Sequence, residues 1–240
     1  MHIAILEAGR TNPKMPEEFY HYPDMFEKLF ADQRNSADFR FSIVPVIDHV
    51  FPHAVDDYDG YLVTGSAYGV YDDIPFIPKL MLFIREIFAA GKPLVGVCFG
   101  HQIVAHTLGG HAAKFDGGWG IGIMPIKMVG KADWIPSDID RLDLIHVHQD
   151  QVISLPPDAV RLAQSNFCQN AAFAIGKKVF AIQGHPEFTP AYTNALIDIR
   201  EERIGKERAA TARISLQKSH DGHQVGGWIL DFFSVHGAAA

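Results

Sequence analysis

Short apolar runs alternate with amphipathic stretches along the first hundred residues. Each run is bounded by glycine or polar residues, which is typical of buried strands, and the runs span residues 2–9, 41–48, 60–66 and 92–98. Apolar residues recur at helical spacing over 24–33, with Asp24 as a possible cap, and over 78–91. Strands that alternate with helices predict right-handed βαβ units and a parallel sheet covered on both faces.

The pattern changes over residues 111–184, where short β-like runs follow one another with glycine and proline between them. This punctuation predicts antiparallel hairpins added to the parallel sheet. Helical spacing returns over 189–205 and again over 228–237. No internal repeat or linker interrupts the chain, so we expect one domain over residues 1–240.

Composition narrows the class of protein. Of 240 residues, 48% are hydrophobic and 20% charged, as in ordinary globular proteins. With 21 basic and 28 acidic residues the net charge is −7, which argues against non-specific nucleic-acid binding. Two cysteines cannot form a disulfide framework, no leader-like segment precedes the first strand, and the apolar runs are too short for a bilayer. We therefore expect a reduced, cytoplasmic protein that binds neither nucleic acid nor membrane.

One cysteine stands in the segment Gly-Val-Cys-Phe-Gly, residues 96–100, at the end of a predicted strand. Glycines on both sides leave room for a tight strand-to-helix turn that presents a nucleophile. The helix N-terminus favours the thiolate of Cys98, and the amide of Phe99 can supply half of an oxyanion hole. The alternative is a buried, inert cysteine, which the glycine frame makes less favourable. Cys168 has no such frame, and we interpret it as structural.

A thiolate nucleophile needs a base, and the base needs a group that orients it. His185 follows a predicted strand and is separated from Glu187 by a single proline. The carboxylate could hold the imidazole tautomer, although a strand-end turn with a solvated glutamate has the same sequence. His101, three residues after Cys98, is the second candidate for the base.

The segments Gly-Val-Cys-Phe-Gly-His-Gln and Gly-His-Pro-Glu-Phe together resemble the class I glutamine amidotransferase family, including its GMP-synthase-type glutaminase domains and its γ-glutamyl peptidase relatives. The resemblance implies a flavodoxin-like three-layer α/β sandwich with a mainly parallel central sheet and added antiparallel hairpins. It also implies that Cys98 attacks the side-chain amide of glutamine, that His185 transfers the proton, and that Glu187 orients His185. No cofactor is expected.

The same resemblance implies further contacts with the substrate. Gly65 and Ser66 would complete the oxyanion hole with Phe99, and Gln102 would reach the α-amino or α-carboxylate end of glutamine. The less specific segment of His148, Gln149 and Asp150 is assigned to that same end, with a polar strand end as the alternative.

Two local features complete the sequence picture of the site. Trp119 is retained from the family pattern, but Gly117 and Gly118 replace its usual charged neighbours. This edge of the site is therefore expected to bind a different group from the one that the charged residues bind in the family. His146 and His148 alternate along a strand but have no acidic or histidine partner at useful spacing, so no metal is expected.

The resemblance leaves three functions open. The chain has no P-loop and no room for an ATP pyrophosphatase domain, so it is expected either to feed ammonia to a separate synthetase or to hydrolyse or transfer γ-glutamyl groups alone. The third alternative is a non-catalytic binding module that keeps the fold. The intact set of Cys98, His185 and Glu187 argues against that module. The compact chain slightly favours a site that works without a partner.

Overall fold

A computed structural model describes residues 1–19 and 21–237. The described strands are β1 (His2–Leu6), β2 (Arg40–Val44), β3 (Gly60–Val63), β4 (Leu94–Val97), β5 (His111–Lys114), β6 (Gly120–Met128), β7 (Arg141–His148), β8 (Asp150–Ser154), β9 (Val160–Gln164), β10 (Ala172–Ile175) and β11 (Val179–Ile182). The described helices are α1 (Tyr22–Ala31), α2 (Phe76–Ala89), α3 (Phe99–Thr107), α4 (Pro190–Ile204), α5 (Lys206–Ser215) and α6 (Gly222–Gly237).

Nine strands form the central sheet in the order β2-β1-β3-β4-β11-β10-β9-β6-β7. The first five run parallel, and the last four join by antiparallel pairing. Every residue of β3, β4 and β11 is buried, as expected for strands covered on both faces. The predicted fold class, a mainly parallel α/β sheet with antiparallel additions, is thereby confirmed.

Alternate side chains of β1 point into two different cores. Ile3 and Ile5 pack in one hydrophobic cluster with residues of α1 and α6. Ala4 and Leu6 pack in the other with residues of α2 and α3. Because successive strand residues face opposite sides, this alternation puts one helical layer on each face of the sheet. No helix within the described ranges is both long and apolar enough to cross a membrane.

Several element boundaries differ from the sequence prediction. The strand predicted over 41–48 ends at Val44 and continues as a 3-10 turn. Strands β5 and β8 pair with each other in a separate two-stranded sheet, so this part of the 111–184 region is not added to the central sheet. Helix α1 begins at Tyr22 with His21 as its cap; Asp24 lies in the first turn and accepts a hydrogen bond from the His21 amide at 3.3 Å.

Two helices at the C-terminal side depart further from the sequence pattern. Helix α5 was not predicted, because only Ala209 and Ala212 are buried along it and no apolar stripe marks it. Helix α6 begins at Gly222, six residues before the predicted start. Its glycines allow close packing: a Cβ on Gly226 would come within 2.7 Å of the Leu29 side chain on α1.

Candidate active site

Cys98 occupies a strained turn between β4 and α3. Its backbone has φ 54° and ψ −103°, a conformation that non-glycine residues rarely adopt. The flanking glycines are required by close backbone contacts. A Cβ on Gly100 would lie 2.2 Å from the carbonyl oxygen of Val63, and one on Gly96 would lie 2.5 Å from that of Gly100. The turn thus has the geometry of a nucleophile elbow.

His185 reaches the elbow from the neighbouring strand. Strand β11 runs parallel to β4 and ends at Ile182, so the residues after it emerge at the same edge of the sheet as Cys98. The amide of His185 donates to the carbonyl oxygen of Ile145 at 2.8 Å, which fixes the backbone against β7. The imidazole Nδ1 donates to Oε1 of Glu187 at 2.7 Å, and both side chains are buried.

The charge state of His185 depends on these neighbours. Burial alone lowers the pKa of His185, but the Glu187 carboxylate and the Cys98 side chain outweigh it and raise the pKa to about 10. Because Nδ1 donates to Glu187, Nε2 is the atom left for a side-chain hydrogen bond with Cys98. The arrangement therefore suits an imidazolium beside a reactive sulfur.

The segment after β3 lies against this pair. A Cβ on Gly65 would come 3.1 Å from Cε1 of His185 and 3.8 Å from the Cβ of Cys98. Gly9 packs behind it, since a Cβ there would lie 2.6 Å from the carbonyl oxygen of Gly65. Phe99 opens helix α3, where first-turn amides have no intrahelical acceptor. Both predicted oxyanion segments are thus beside Cys98.

Cys98 opens into a cavity of about 310 Å³. Five predicted contact residues line it together with Cys98, namely Ser66, Gln102, His148, Gln149 and Asp150. The structure therefore brings the predicted substrate-side residues around one space next to the elbow.

Hydrogen bonds within the wall of this cavity fix the position of Asp150. Its carbonyl oxygen accepts from Nε2 of Gln102 at 2.8 Å and from Nδ1 of His148 at 3.1 Å. Its carboxylate accepts from the hydroxyl of Tyr71 at 2.9 Å. Burial raises the pKa of Asp150, and the hydrogen bond from Tyr71 opposes that effect. Gln102 and His148 therefore hold the Asp150 backbone, and Tyr71, which also lines the cavity, holds its carboxylate.

A line of buried imidazoles lies behind this wall. Since His148 donates from Nδ1 to a carbonyl, its Nε2 accepts from Nδ1 of His146 at 3.2 Å. Burial lowers the pKa of His148 to about 3 and that of His146 well below its usual value, so both rings are neutral. In the part of the chain that the structure describes, no group of three or more histidine, cysteine or carboxylate side chains could hold a metal ion.

His101, the second candidate for the base, and Cys168, which we interpret as structural, lie away from the cavity. His101 is fully buried with its ring 5.2 Å from that of Phe173, and burial lowers its pKa to about 3. Burial also raises the pKa of the Cys168 thiol to about 12, and the Cys168 amide donates to the hydroxyl of Ser165 at 2.9 Å. Neither residue lines the cavity that contains Cys98.

Sequence reasoning missed several cavity residues. Arg200 and Arg203 lie on α4, and their guanidinium carbons stand 5.8 and 5.6 Å from the ring centre of Trp119. Tyr71 and Lys114 line the cavity from the 66–72 loop and from β5. The only signal in the sequence was the spacing of the two arginines, which puts them on one face of the helix that follows His-Pro-Glu.

Comparisons with known proteins identify the family and the fold. A sequence model described as glutamine amidotransferase class-I matches residues 21–197. γ-Glutamyl peptidase 3 of Arabidopsis thaliana is 31% identical over 185 residues, which are 74% of this chain and 73% of the relative. The glutamine-hydrolyzing GMP synthase of Caldanaerobacter subterraneus is 28% identical over 68% of this chain but only 31% of its own length. A crystal structure of a glutamine amidotransferase from Methylobacillus flagellatus has a TM-score of 0.75 and 19% identity, with 98% of this chain and 94% of that one covered.

Proposed function

The chain belongs to the glutamine amidotransferase class I family, and we propose that it is a cysteine hydrolase that cleaves the γ-amide bond of γ-glutamyl compounds through a thioester on Cys98. One observation carries the proposal: the strained elbow of Cys98 stands beside His185, whose Nδ1 is held by Glu187 at 2.7 Å. A sulfur nucleophile, a base and an orienting carboxylate are the set that acyl transfer requires.

Before the attack, the thiol proton of Cys98 passes to Nε2 of His185, which gives the thiolate–imidazolium pair. In the first step, Sγ of Cys98 then bonds to the γ-carbonyl carbon of the substrate. The carbonyl oxygen becomes an oxyanion. The backbone amides of Phe99 and of the Gly65–Ser66 segment are the donors that would stabilise it, because both segments lie against Cys98. Glu187 stabilises the imidazolium that forms and keeps its ring in place.

In the second step, the carbon–nitrogen bond breaks, and the leaving nitrogen takes the proton from His185. Ammonia leaves when glutamine is the substrate, and an amine leaves when a substituted γ-glutamyl amide is the substrate. Water then attacks the thioester, giving its proton to His185. The carbon–sulfur bond breaks, Cys98 regains a proton, and glutamate is released.

The glutamyl end of the substrate lies along the wall that holds Asp150. The Asp150 carboxylate, which accepts a hydrogen bond from Tyr71 in the cavity lining, suits the α-ammonium group. Lys114, which pairs with Asp150 in the register of β5 and β8, supplies a positive charge for the α-carboxylate. Gln102 and His148 act as positioning residues, because their hydrogen bonds go to the Asp150 carbonyl.

The cavity next to Cys98 is already open in the isolated chain, which supports a hydrolase that works without a partner. The similarity to a GMP synthase supports the second candidate, a subunit that supplies ammonia to a separate synthetase. The chemistry at Cys98 is the same in both, so the difference lies in when the enzyme turns over.

A steady-state assay of the purified chain tests the proposal. We expect glutamate to be released from glutamine or a γ-glutamyl amide without ATP or another protein. Cys98→Ser should lower kcat by about 10³-fold or more, because a hydroxyl is a far weaker nucleophile at neutral pH. Turnover only after a synthetase chain is added would favour the subunit. No turnover in either case, with Cys98 unreactive towards a glutamine-like chloroketone, would favour a binding module.

A further inference from the structure

Two arginines and a tryptophan form one edge of the cavity that contains Cys98; we call Trp119, Arg200 and Arg203 the cationic rim. Both guanidinium groups lie within 6 Å of the Trp119 ring centre, at 5.8 and 5.6 Å, so the indole and the two cations stabilise one another. Arg200 is half-buried, which strengthens its interaction with an anion relative to a fully solvated side chain.

The rim is fixed from behind by helix α5. Nη1 of Arg208 donates to the carbonyl oxygens of Trp119 and Gly117, at 2.6 and 3.1 Å. Gly118 has φ 86°, and a Cβ there would lie 2.7 Å from Nη1 of Arg208. Gly118 therefore makes room for an arginine that holds the rim in place.

The rim carries positive charge that the protein itself does not neutralise. Of the three acidic residues on α4, Asp198 and Glu201 are bound by Arg213, at 2.6 and 2.8 Å, and Glu202 is exposed to solvent. Within residues 1–19 and 21–237, neither Arg200 nor Arg203 forms an ion pair. A half-buried guanidinium without a counterion at the edge of a reaction cavity suits an anionic ligand.

Arg200 lies on the side from which the leaving group departs. A small pocket beside the main cavity is lined by Arg200 together with Cys98, His185 and Phe188. The leaving nitrogen must approach His185 to receive its proton, whereas Asp150 and Lys114 line only the main cavity. Arg200 lines both spaces, so it puts a positive charge on the side of the leaving group, away from the wall of Asp150 and Lys114 that takes the glutamyl zwitterion.

From this placement we infer that the cationic rim binds a carboxylate on the leaving group, so that the preferred substrates are γ-glutamyl amino acids or peptides with a free carboxylate. The inference rests on the proposed hydrolase function. Arg200 supplies a planar pair of donors to the carboxylate, and Arg203, which is more exposed, adds charge. Glutamine, whose leaving group is ammonia, cannot use the rim.

The test compares γ-glutamylglycine with γ-glutamylglycinamide, which differ only in the charge of the leaving group, and with glutamine. For the wild-type chain we expect kcat/KM to be about 10- to 100-fold higher for γ-glutamylglycine than for its amide, as for a charge-assisted hydrogen bond. Arg200→Gln should remove that preference and leave kcat/KM for γ-glutamylglycinamide and glutamine within about twofold. Arg85→Gln, on the exposed face of α2, is the matched control and should change none of the three.

Each other result overturns the inference. An equal loss for all three substrates in Arg200→Gln would mean that Arg200 holds the α-carboxylate of the glutamyl group. Equal wild-type kcat/KM values for γ-glutamylglycine and its amide would refute carboxylate binding by the cationic rim and leave the hydrolase function intact. No turnover of any substrate would refute both proposals. If Arg200→Gln fails to fold, the wild-type ratio of kcat/KM for γ-glutamylglycine to that for its amide is measured at increasing salt concentration. The ratio should fall as ionic strength rises, and a ratio unaffected by salt contradicts the inference.

Discussion

The imidazole of His185 lies parallel to the ring of Phe188, with centroids 3.8 Å apart and 4° between the planes. Phe188 is itself packed against Tyr192, with ring centroids 4.6 Å apart, and Tyr192 belongs to α4. Glu187 therefore fixes the rotation of the imidazole through Nδ1, and Phe188 fixes the plane in which it lies. The base is held from two directions by consecutive residues.

Phe188→Leu should keep an apolar side chain behind the imidazole but remove the aromatic ring that stacks on His185. We expect kcat to fall about tenfold with little change in KM, because a stacked aromatic pair contributes about 0.5–1.5 kcal/mol. Phe83→Leu, a buried aromatic on α2, is the control: it should lower the urea midpoint and leave kcat unchanged. Equal effects of the two variants on kcat would show that the stack has no role in turnover.

Only one of the two cysteines should react with a glutamine-like chloroketone. Cys98 opens into the cavity, whereas burial raises the pKa of Cys168 to about 12 and leaves its thiol protonated at neutral pH. Peptide mapping after brief labelling should find the adduct on Cys98. An adduct mainly on Cys168, or labelling that persists in Cys98→Ser, would contradict the assignment of the nucleophile.

The raised pKa of His185 predicts how stability depends on pH. Its folded value of about 10 lies above the ordinary 6.5, so its contribution is complete below about pH 6.5 and is lost as the pH rises towards 10. The difference in unfolding free energy between wild type and His185→Gln should therefore shrink between pH 6.5 and 10 in urea titrations. In Glu187→Gln, the contribution of His185 to the unfolding free energy should be lost at a lower pH, because the carboxylate that raises the pKa of His185 is gone. A difference that stays constant with pH would refute the raised pKa.

Asp150 should set the acid limb of the kcat/KM profile. Burial raises the pKa of this carboxyl, so binding of an α-ammonium group should weaken as the pH falls through a value above the ordinary 3.8. Asp150→Asn should raise KM more than it lowers kcat and should lose this limb. Because the Tyr71 hydrogen bond lowers the pKa of Asp150, Tyr71→Phe should shift the limb to higher pH. A shift to lower pH would exclude Asp150 as the titrating group.

Gly100 and Gly227 give a matched test of the elbow, since both lie in helices. Alanine normally stabilises a helix interior by up to about 1 kcal/mol relative to glycine. At Gly100 the new Cβ would lie 2.2 Å from a backbone oxygen of Val63, so we expect a net loss of about 1–3 kcal/mol from overpacking. At Gly227 it would meet only the flexible end of Gln33, so the urea midpoint should stay or rise. Similar midpoints for both variants would mean that α3 can move away from β3.

The parts of the fold that the sequence predicted are those with strong local signals. Continuous apolar runs marked β1, β3 and β4, and glycines at positions 96 and 100 marked the elbow, because each pattern reports burial or close approach directly. Pairing between distant strands leaves no such local mark, which is why the separate sheet of β5 and β8 was not predicted.

The site shows the same limit. Cys98, His185 and Glu187 were predicted because each lies in a short motif, and Asp150 because its segment resembles the substrate-side segment of the family. Arg200 was not predicted, since its proposed role depends on Trp119, eighty-one residues earlier in the chain, and on its forming no ion pair within the described residues. Charge balance around a cavity is a property of the folded arrangement, which no single segment encodes.

The hydrogen bonds from Arg208 to the carbonyl oxygens of Gly117 and Trp119 indicate how the substrate preference could be changed. Residues 21–197 match the family model and contain Cys98 and His185, whereas Arg200, Arg203 and Arg208 all come after that span. Bond cleavage is therefore assigned to residues inside the match, whereas the proposed leaving-group preference depends on arginines that come after it, together with Trp119. A transplant of the short helical stretch after residue 197 into a related scaffold should carry leaving-group preference with it and leave bond cleavage to the recipient.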